Sequence, residues 1–264
     1  MLFDINIGLF LGITIPPLIY TLIIYLTSPY GSISIKKSLY YLIGGVLSTT
    51  FVYFISSFIE MSTFSSFMKH FFIVGPREEL SKIIAFIIIS KGIADNHRHP
   101  VATMFYMGMI GLGFAMYENL LYAHRYGDIV LLSRTFSSTI GHMVFGMFFG
   151  YWLGLSHLEI GSYGRRSVFG FFMKKYKKLR VWTYGFIGLI CASSFHGLWN
   201  YNLSNHTSST MPIMVLMVII GLITCKFAAS DLNNHYRLSL KNNKTKNNNH
   251  LKLQWLEGDG PQTD

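Results

Sequence analysis

The sequence predicts an all-α fold, a polytopic membrane helix bundle with about seven transmembrane helices and room for an eighth. Of the 264 residues, 51% are hydrophobic and only 13% are charged, whereas a typical soluble domain has about 25% charged residues. The apolar residues are grouped in runs of about 20, which is the length that crosses a bilayer as a helix. Lysines and arginines lie mainly between these runs, so membrane topology explains the net charge of +10 and nucleic acid is rejected as a partner.

Seven apolar runs follow one another along the chain. The first two contain no charged residue, and the third contains Pro76 and several charges in its first half. The remaining four are apolar apart from a few polar or ionisable residues. The predicted spans are Ile5–Leu26, Leu39–Ile59, Phe71–Ser90, Val101–Tyr122, Thr135–Leu155, Val181–Asn200 and Met211–Ala229.

The predicted spans form one membrane-embedded helical domain over residues 1–230. The remaining residues, 231–264, are polar and rich in asparagine, as in the run Asn247–Asn249. A segment with so few apolar residues cannot bury enough surface to fold alone. We therefore predict a disordered tail, which the orientation below places in the cytoplasm.

The distribution of lysine and arginine predicts the orientation in the membrane. The loop Ser156–Arg180 contains seven of these residues, and Tyr201–Thr210 contains none. Cytoplasmic loops are enriched in lysine and arginine. The N terminus is therefore expected outside the cell and the C terminus in the cytoplasm, with the lipid bilayer of the plasma membrane around the bundle.

This orientation can be tested with reporters that are active on only one side of the membrane. A reporter fused after Asn205 should be active outside, and one fused at Gly170 should be active in the cytoplasm, because of the charge difference between the two loops. The reverse pattern at both positions would contradict the orientation.

Four predicted spans carry ionisable or amide side chains that are unfavourable in a bilayer. A charged group at mid-bilayer costs on the order of 3 kcal/mol on insertion scales. With the predicted orientation, all of these residues lie in the outer half of the membrane, which favours a shared cavity. The residues are Glu78, Glu79, Lys82, Glu118, Asn119, His142, His196 and Asn200.

Helical spacing places some of these side chains on common faces. Glu78 and Lys82 are four residues apart with the acid first, the favourable order for an ion pair. Such a pair could serve the stability of the bundle as well as chemistry. Phe114, Glu118 and Tyr122 form a stripe with the same spacing.

Two further faces carry the histidines. His196 and Asn200 are four residues apart, and His142 is followed by glycines at four-residue intervals from Gly146 to Gly154. A single histidine in a span is often only a hydrogen-bonded core residue. The glycines form a small-xxx-small face, which we interpret as a site of close helix packing.

Carboxylates, imidazoles and an amide in one cavity suit the hydrolysis of an amide bond. A glutamate withdrawn from water is a better base near neutral pH, and a histidine and an amide aimed at one point can stabilise an oxyanion. No cofactor is favoured, since the HExxH motif of many zinc proteases is absent. Zinc is the alternative, with Glu78, Glu118, His142 and His196 as its ligands.

Four segments resemble the sequence elements of a known family. Residues 76–82 read PREELSK, residues 113–122 read GFAMYENLLY, His142 is followed by Gly150, and residues 195–200 read FHGLWN. In order and spacing, over about residues 70–205, these segments resemble four elements of the PrsW proteases, including their EExxK, GFAxxENxxY and HxxxN motifs. PrsW proteases belong with the CAAX-prenyl endopeptidase and bacteriocin-immunity (CPBP) superfamily.

This resemblance implies an intramembrane endopeptidase. The expected reaction is hydrolysis of a peptide bond in a membrane-anchored protein near the outer membrane face, as in the site-1 cleavage of an anti-sigma factor. In roles carried over from the family, Glu78 is the base, with Glu79 beside it, and His196 and Asn200 are the oxyanion donors. The supporting residues are Lys82, Phe114, Asn119 and Tyr122.

One position departs from the CAAX branch of the superfamily. That branch has a histidine in its second motif where this chain has Glu118, a glutamate as in the PrsW proteins that it resembles, so His142 could supply the missing imidazole. Members of the family have been described as metalloproteases, which leaves metal dependence open. Two other classes stay open as well: a transporter with Glu118 and His142 as a proton relay, and a catalytically silent immunity-type protein on the same scaffold.

Overall fold

Helices are the only regular elements in the part of the chain that the computed structural model describes. That part comprises residues 7–28, 33–58, 64–93, 99–158, 177–205 and 210–256. The helices are α1 (Ile7–Thr27), α2 (Ile35–Ser56), α3 (Ser66–Met68), a π-helical segment (Lys69–Val74), α4 (Gly75–Gly92), α5 (Pro100–Tyr126), α6 (Val130–Phe136), α7 (Ser138–His157), α8 (Lys177–Ser204) and α9 (Thr210–Leu256).

Seven of these helices have 18 residues or more, as the seven predicted spans require. Within the described residues, five are long and apolar enough to cross a membrane: α1, α2, α5, most of α8 and the first part of α9. The other two, α4 and α7, carry Glu78, Glu79, Lys82 and His142 and pack against the helices around them. The prediction of an all-α membrane helix bundle is confirmed.

The third predicted span is uninterrupted despite its proline. The π-helical segment Lys69–Val74 runs directly into α4, and Pro76 lies in the first turn of α4. Pro76 has no N–H to donate to the turn before it, and that turn is π-helical: the N–H of Gly75 donates to the carbonyl oxygen of His70, five residues earlier. The fifth predicted span, in contrast, is divided at Ser137 into α6 and α7.

The last helix differs from the disordered tail predicted from residue 231, because α9 continues to Leu256. No glycine or proline interrupts residues 231–256, so nothing in that stretch breaks a helix. Tertiary contacts also hold the beginning of this stretch: Leu232 is fully buried, and the Tyr151 hydroxyl donates to Asp231. Residues 257–264 lie outside the described part of the chain, and so do residues 159–176, which make up most of the cation-rich loop Ser156–Arg180.

The helix α5 lies at the centre of the bundle. All residues of α5 from Pro100 to Ala115 are buried. The helix packs against α1, α2, α4 and α7. A helix that is apolar on all sides belongs in an interior, so α5 is the element around which the site residues are arranged.

Glycines allow α7 to approach α5 closely. A Cβ atom on Gly111 would lie 2.1 Å from the carbonyl oxygen of His142, and one on Gly146 would lie 2.3 Å from the carbonyl oxygen of Met107. Gly150 and Gly154 also face the backbone of α5. The glycine face predicted from the sequence is therefore a packing face, and it brings His142 against the central helix.

Candidate active site

Side chains from four helices meet in the interior of the bundle. Glu78, Glu79 and Lys82 come from α4, Glu118 from α5, His142 from α7 and His196 from α8. Lys82 is completely buried, and the other five are largely or wholly withdrawn from the surface. The structure thus brings together the ionisable residues that the sequence placed in one cavity.

Close packing at the start of α4 fixes the position of His196. A Cβ atom on Gly197 would lie 3.0 Å from the Cα of Phe71 in the π-helical segment, and one on Gly75 would lie 2.8 Å from the carbonyl oxygen of Ser193. The two glycines therefore let α8 lie directly against the beginning of α4. His196, next to Gly197, faces the glutamates as a result.

Lys82 connects the α4 glutamates to α7. Its Nζ donates to Oε1 of Glu79 at 2.7 Å and to Nδ1 of His142 at 3.0 Å, and it lies 4.5 Å from the centre of the Phe114 ring. The predicted Glu78–Lys82 pair was wrong, since the partner is Glu79, three residues away. Spacings of three and four both put side chains on one helix face, and here Glu78 is directed to His196 instead.

His196 lies between the two α4 glutamates. Its Nδ1 is 2.7 Å from Oε1 of Glu79, and its Nε2 is 3.4 Å from Oε2 of Glu78. A carboxylate can only accept, so Nδ1 carries a proton and donates to Glu79. The Phe145 ring stacks on the imidazole, with 4.9 Å between the ring centres. The ring is thereby fixed with Nε2 toward Glu78.

His142 is held at both ring nitrogens. The ammonium group of Lys82 has donors but no acceptor, so Nδ1 of His142 accepts from it. Nε2 must then carry the proton, and it donates to Oε2 of Glu118 at 2.9 Å. The neighbouring groups therefore select one tautomer of His142.

Arg134 at the end of α6 is part of this network, although the sequence analysis assigned it no role. It forms a salt bridge with Glu118 and donates to Oδ1 of Asn119 at 2.6 Å. One feature of the sequence could have indicated an arginine here, because a buried carboxylate such as Glu118 needs a nearby positive charge. Arg125 and Arg134 were both close enough in the sequence to provide that charge. In the structure Arg125 is exposed beside Tyr126, and Arg134 is the partner.

Phe114 and Tyr122, two of the four residues predicted to support the site, lie at its edges. Phe114 contacts His142 with 4.9 Å between the ring centres, and Tyr122 lies under the guanidinium group of Arg134. Asn200 is half-buried one turn after His196, and its side chain takes part in none of the side-chain hydrogen bonds among the described residues. Its amide group is therefore not committed to another partner there.

Three of the residues form a group that could hold a metal ion. Glu78, His142 and His196 each offer one ligand atom, and these atoms lie within 4.8 Å of one another. Three protein ligands with an open position are typical of catalytic zinc, and the Glu79 contact to His196 is of the kind that orients such ligands. Oε2 of Glu78 is buried without a hydrogen-bond partner in the described residues. The donor set thus fits zinc in type and spacing, while Glu118 lies outside the group.

Lys82 is expected to be essential for stability. Replacing it by methionine leaves Glu79 as a buried charge without its cation, which typically destabilises a protein by about 3–5 kcal/mol. We expect Lys82→Met to melt at a much lower temperature than the wild type in detergent. The matched control is Lys91→Met, at the exposed end of the same helix, which should melt like the wild type; equal melting of both variants would contradict the role of the buried pair.

The described part of the chain is thus a polytopic helix bundle in which glutamates, histidines and a lysine are buried at one point. The sequence model of the PrsW family, described as intramembrane metalloproteases, matches residues 35–224, which include every residue of the site. The chain belongs to the PrsW family of intramembrane proteases, and it is an integral membrane protein.

Two relatives of this chain are named Protease PrsW. The chain is 30% identical over 189 residues to Protease PrsW of Oceanobacillus iheyensis and 25% identical over 185 residues to Protease PrsW of Shouchella clausii. Each alignment covers 69% of this chain and 77% of the relative. No solved structure gives a significant match.

Proposed function

We propose that the protein hydrolyses a peptide bond of a membrane-anchored protein substrate, with the reacting water held between Glu78 and His196. One observation carries this assignment. Glu79 is paired with Lys82 and Glu118 with Arg134, whereas Glu78 has no lysine or arginine partner among the described residues. Glu78 is therefore the carboxylate that is available to a water molecule.

In this mechanism Glu78 acts as the base. It accepts a proton from the water as the water oxygen attacks the carbonyl carbon of the substrate, and it later gives that proton to the departing amine nitrogen as the C–N bond breaks. His196, with its ring fixed by Glu79, presents Nε2 toward the same point. Because Nδ1 already donates to Glu79, Nε2 has a proton to donate only in the doubly protonated, cationic ring. In that form the Nε2–H and the side-chain amide of Asn200 would stabilise the negative oxygen of the tetrahedral intermediate.

The substrate class follows from the position of the site within the bundle. The site residues are buried among helices whose outer surfaces are strongly apolar, which favours a substrate that reaches them from the bilayer. A protein with a single membrane span fits this requirement. The resemblance noted above suggests an anti-sigma factor cut near the outer face of the membrane.

Metal-dependent hydrolysis is the second candidate, and the ligand group of Glu78, His142 and His196 favours it. Bound zinc would polarise the substrate carbonyl and lower the pKa of a water molecule. Glu79 would then orient His196, and Glu118 would orient His142. The first candidate is preferred because Lys82 and Glu118 occupy both nitrogens of His142, and an ammonium group so close disfavours a second cation.

Purified protein in detergent tests both candidates against a single-span reporter. We expect the wild type to cut the reporter and to remain active after dialysis against a chelator. Elemental analysis should then show less than one zinc per chain. Activity that is lost with the chelator and restored by zinc would select the metal-dependent candidate. A folded wild-type protein that cuts no single-span substrate with or without zinc would contradict the proposed function.

A further inference from the structure

The side chains of one α5 segment surround a single guanidinium group. Arg134 contacts Glu118 through a salt bridge, Asn119 through a 2.6 Å hydrogen bond, and the Tyr122 ring at 3.8 Å from its centre. Ser138, the first residue of α7, accepts a further hydrogen bond at 2.9 Å. Arg134 itself is almost completely buried. Three side chains of the segment that resembles the ENxxY motif thus form a binding site for one arginine.

This arginine is connected to the candidate catalytic residues through Glu118. Oε2 of Glu118 is the atom that contacts Arg134, and it is also the atom that accepts from Nε2 of His142. Arg134 thus helps to fix the position of the carboxylate, and the carboxylate holds the His142 ring in the orientation in which Lys82 donates to Nδ1 and the proton lies on Nε2. Asn119 is itself fixed by a 2.9 Å hydrogen bond to Thr139 on α7, so the arrangement spans α5, α6 and α7.

We propose that Arg134 is a positioning residue that holds Glu118 against His142 and so keeps His142 in its Nε2-protonated tautomer. This proposal rests on the proposed function for its effect on turnover, but the tautomer can be measured without any substrate. A planar guanidinium group is suited to fixing several acceptors at once, because its N–H donors have a rigid planar arrangement. The donors of Arg134 contact Glu118, Asn119 and Ser138, and the face of the group lies over the Tyr122 ring.

A kinetic experiment tests the effect on turnover. In cleavage of the single-span reporter, Arg134→Gln should lower kcat by roughly 10- to 100-fold, the usual loss when an orienting residue is removed, with little change in KM. Arg134→Lys should fall between this variant and the wild type. In the Glu118→Gln background, Arg134→Gln should cause no further loss, because both changes release His142. The matched control is Arg125→Gln, which removes an exposed arginine that also lies beside a tyrosine.

A spectroscopic experiment tests the position of the proton directly. Nitrogen-15 spectra of the histidine rings, with His142 assigned by its loss in His142→Gln, should show the Nε2-protonated form in the wild type and in Arg125→Gln. The Arg134→Gln spectrum should show a mixture of tautomers, because a ring that Glu118 no longer holds can turn away from Lys82, whose ammonium group otherwise keeps Nδ1 unprotonated. If Arg134→Gln does not fold, the same spectra are recorded for Arg134→Lys, because lysine keeps the positive charge but lacks the planar set of donors.

The outcomes separate this proposal from the proposed function. An unchanged His142 spectrum and unchanged kcat in the Arg134 variants would overturn the positioning role and leave the protease assignment intact. A wild-type protein that cuts no reporter would overturn the protease assignment, while the spectra would still decide the role of Arg134. Additive losses of kcat from Arg134→Gln and Glu118→Gln would show that the arginine does not act through Glu118, which would also overturn the proposal.

Discussion

Replacing Glu78 by glutamine is expected to abolish cleavage of a single-span reporter while the protein stays folded in the membrane. Glutamine has nearly the same shape but cannot accept a proton from water, and general-base catalysis typically contributes about 10²–10⁴-fold to a rate. Because Glu78 has no lysine or arginine partner in the described part of the chain, its neutralisation breaks no ion pair with either. The measurement is the single-turnover cleavage rate, taken together with the melting temperature.

Two other acids complete this experiment. Asp128→Asn changes an exposed residue in the turn after α5 and should leave both cleavage and melting unchanged. Glu79→Gln should lower both, because Glu79 contacts Lys82 and His196. Full activity in Glu78→Gln would show that the base is another carboxylate, either Glu79 or Glu118. Full activity after each of the three glutamates is changed singly would contradict the protease mechanism.

Loss of the His196 ring is the second change with a large expected effect. His196→Ala removes a group that faces Glu78 and is held by Glu79, and loss of an oxyanion donor typically lowers turnover by about 10²–10³-fold. Asn200→Ala should cause a loss in the same range without a change in melting temperature, since the Asn200 side chain takes part in none of the side-chain hydrogen bonds among the described residues. Both effects are measured as kcat on the reporter.

A histidine outside the site provides the control. His124→Ala changes an exposed residue near the end of α5 and should leave kcat unchanged. Wild-type turnover in His196→Ala would contradict its place in the site. One zinc per wild-type chain, absent from His196→Ala and from His142→Ala, would instead show that the two rings hold a metal.

Hydropathy and charge were sufficient to predict the architecture. Polar groups are unfavourable in a bilayer, so each span has to be a run of about 20 mainly apolar residues, and such runs are easily recognised in a sequence. The same pattern singled out Glu78, Glu118, His142 and His196, because an ionisable residue inside an apolar run is conspicuous. The glycine face of α7 could be predicted for a similar reason, since a repeat of four residues has one geometric meaning on a helix.

The pairing of charges could not be predicted from the sequence. Glu78 and Glu79 are separated from Lys82 by four and three residues, and a helix allows either pair. The choice depends on the packing of α8 against the start of α4, which places His196 beside both glutamates. Arg134 was missed because a basic residue near the end of a span is usually a topological signal. Only the fold shows that it is buried.

The most direct test of the account is to map the cut in a single-span reporter reconstituted with the wild-type protein in H₂¹⁸O. Mass spectrometry of the products gives both the position of the broken bond and the origin of the new carboxyl oxygen. The account predicts a cut inside the apolar span, near its outer end, with one ¹⁸O atom in the new C terminus and no product with Glu78→Gln. A cut outside the span, or the same product from Glu78→Gln, would contradict it.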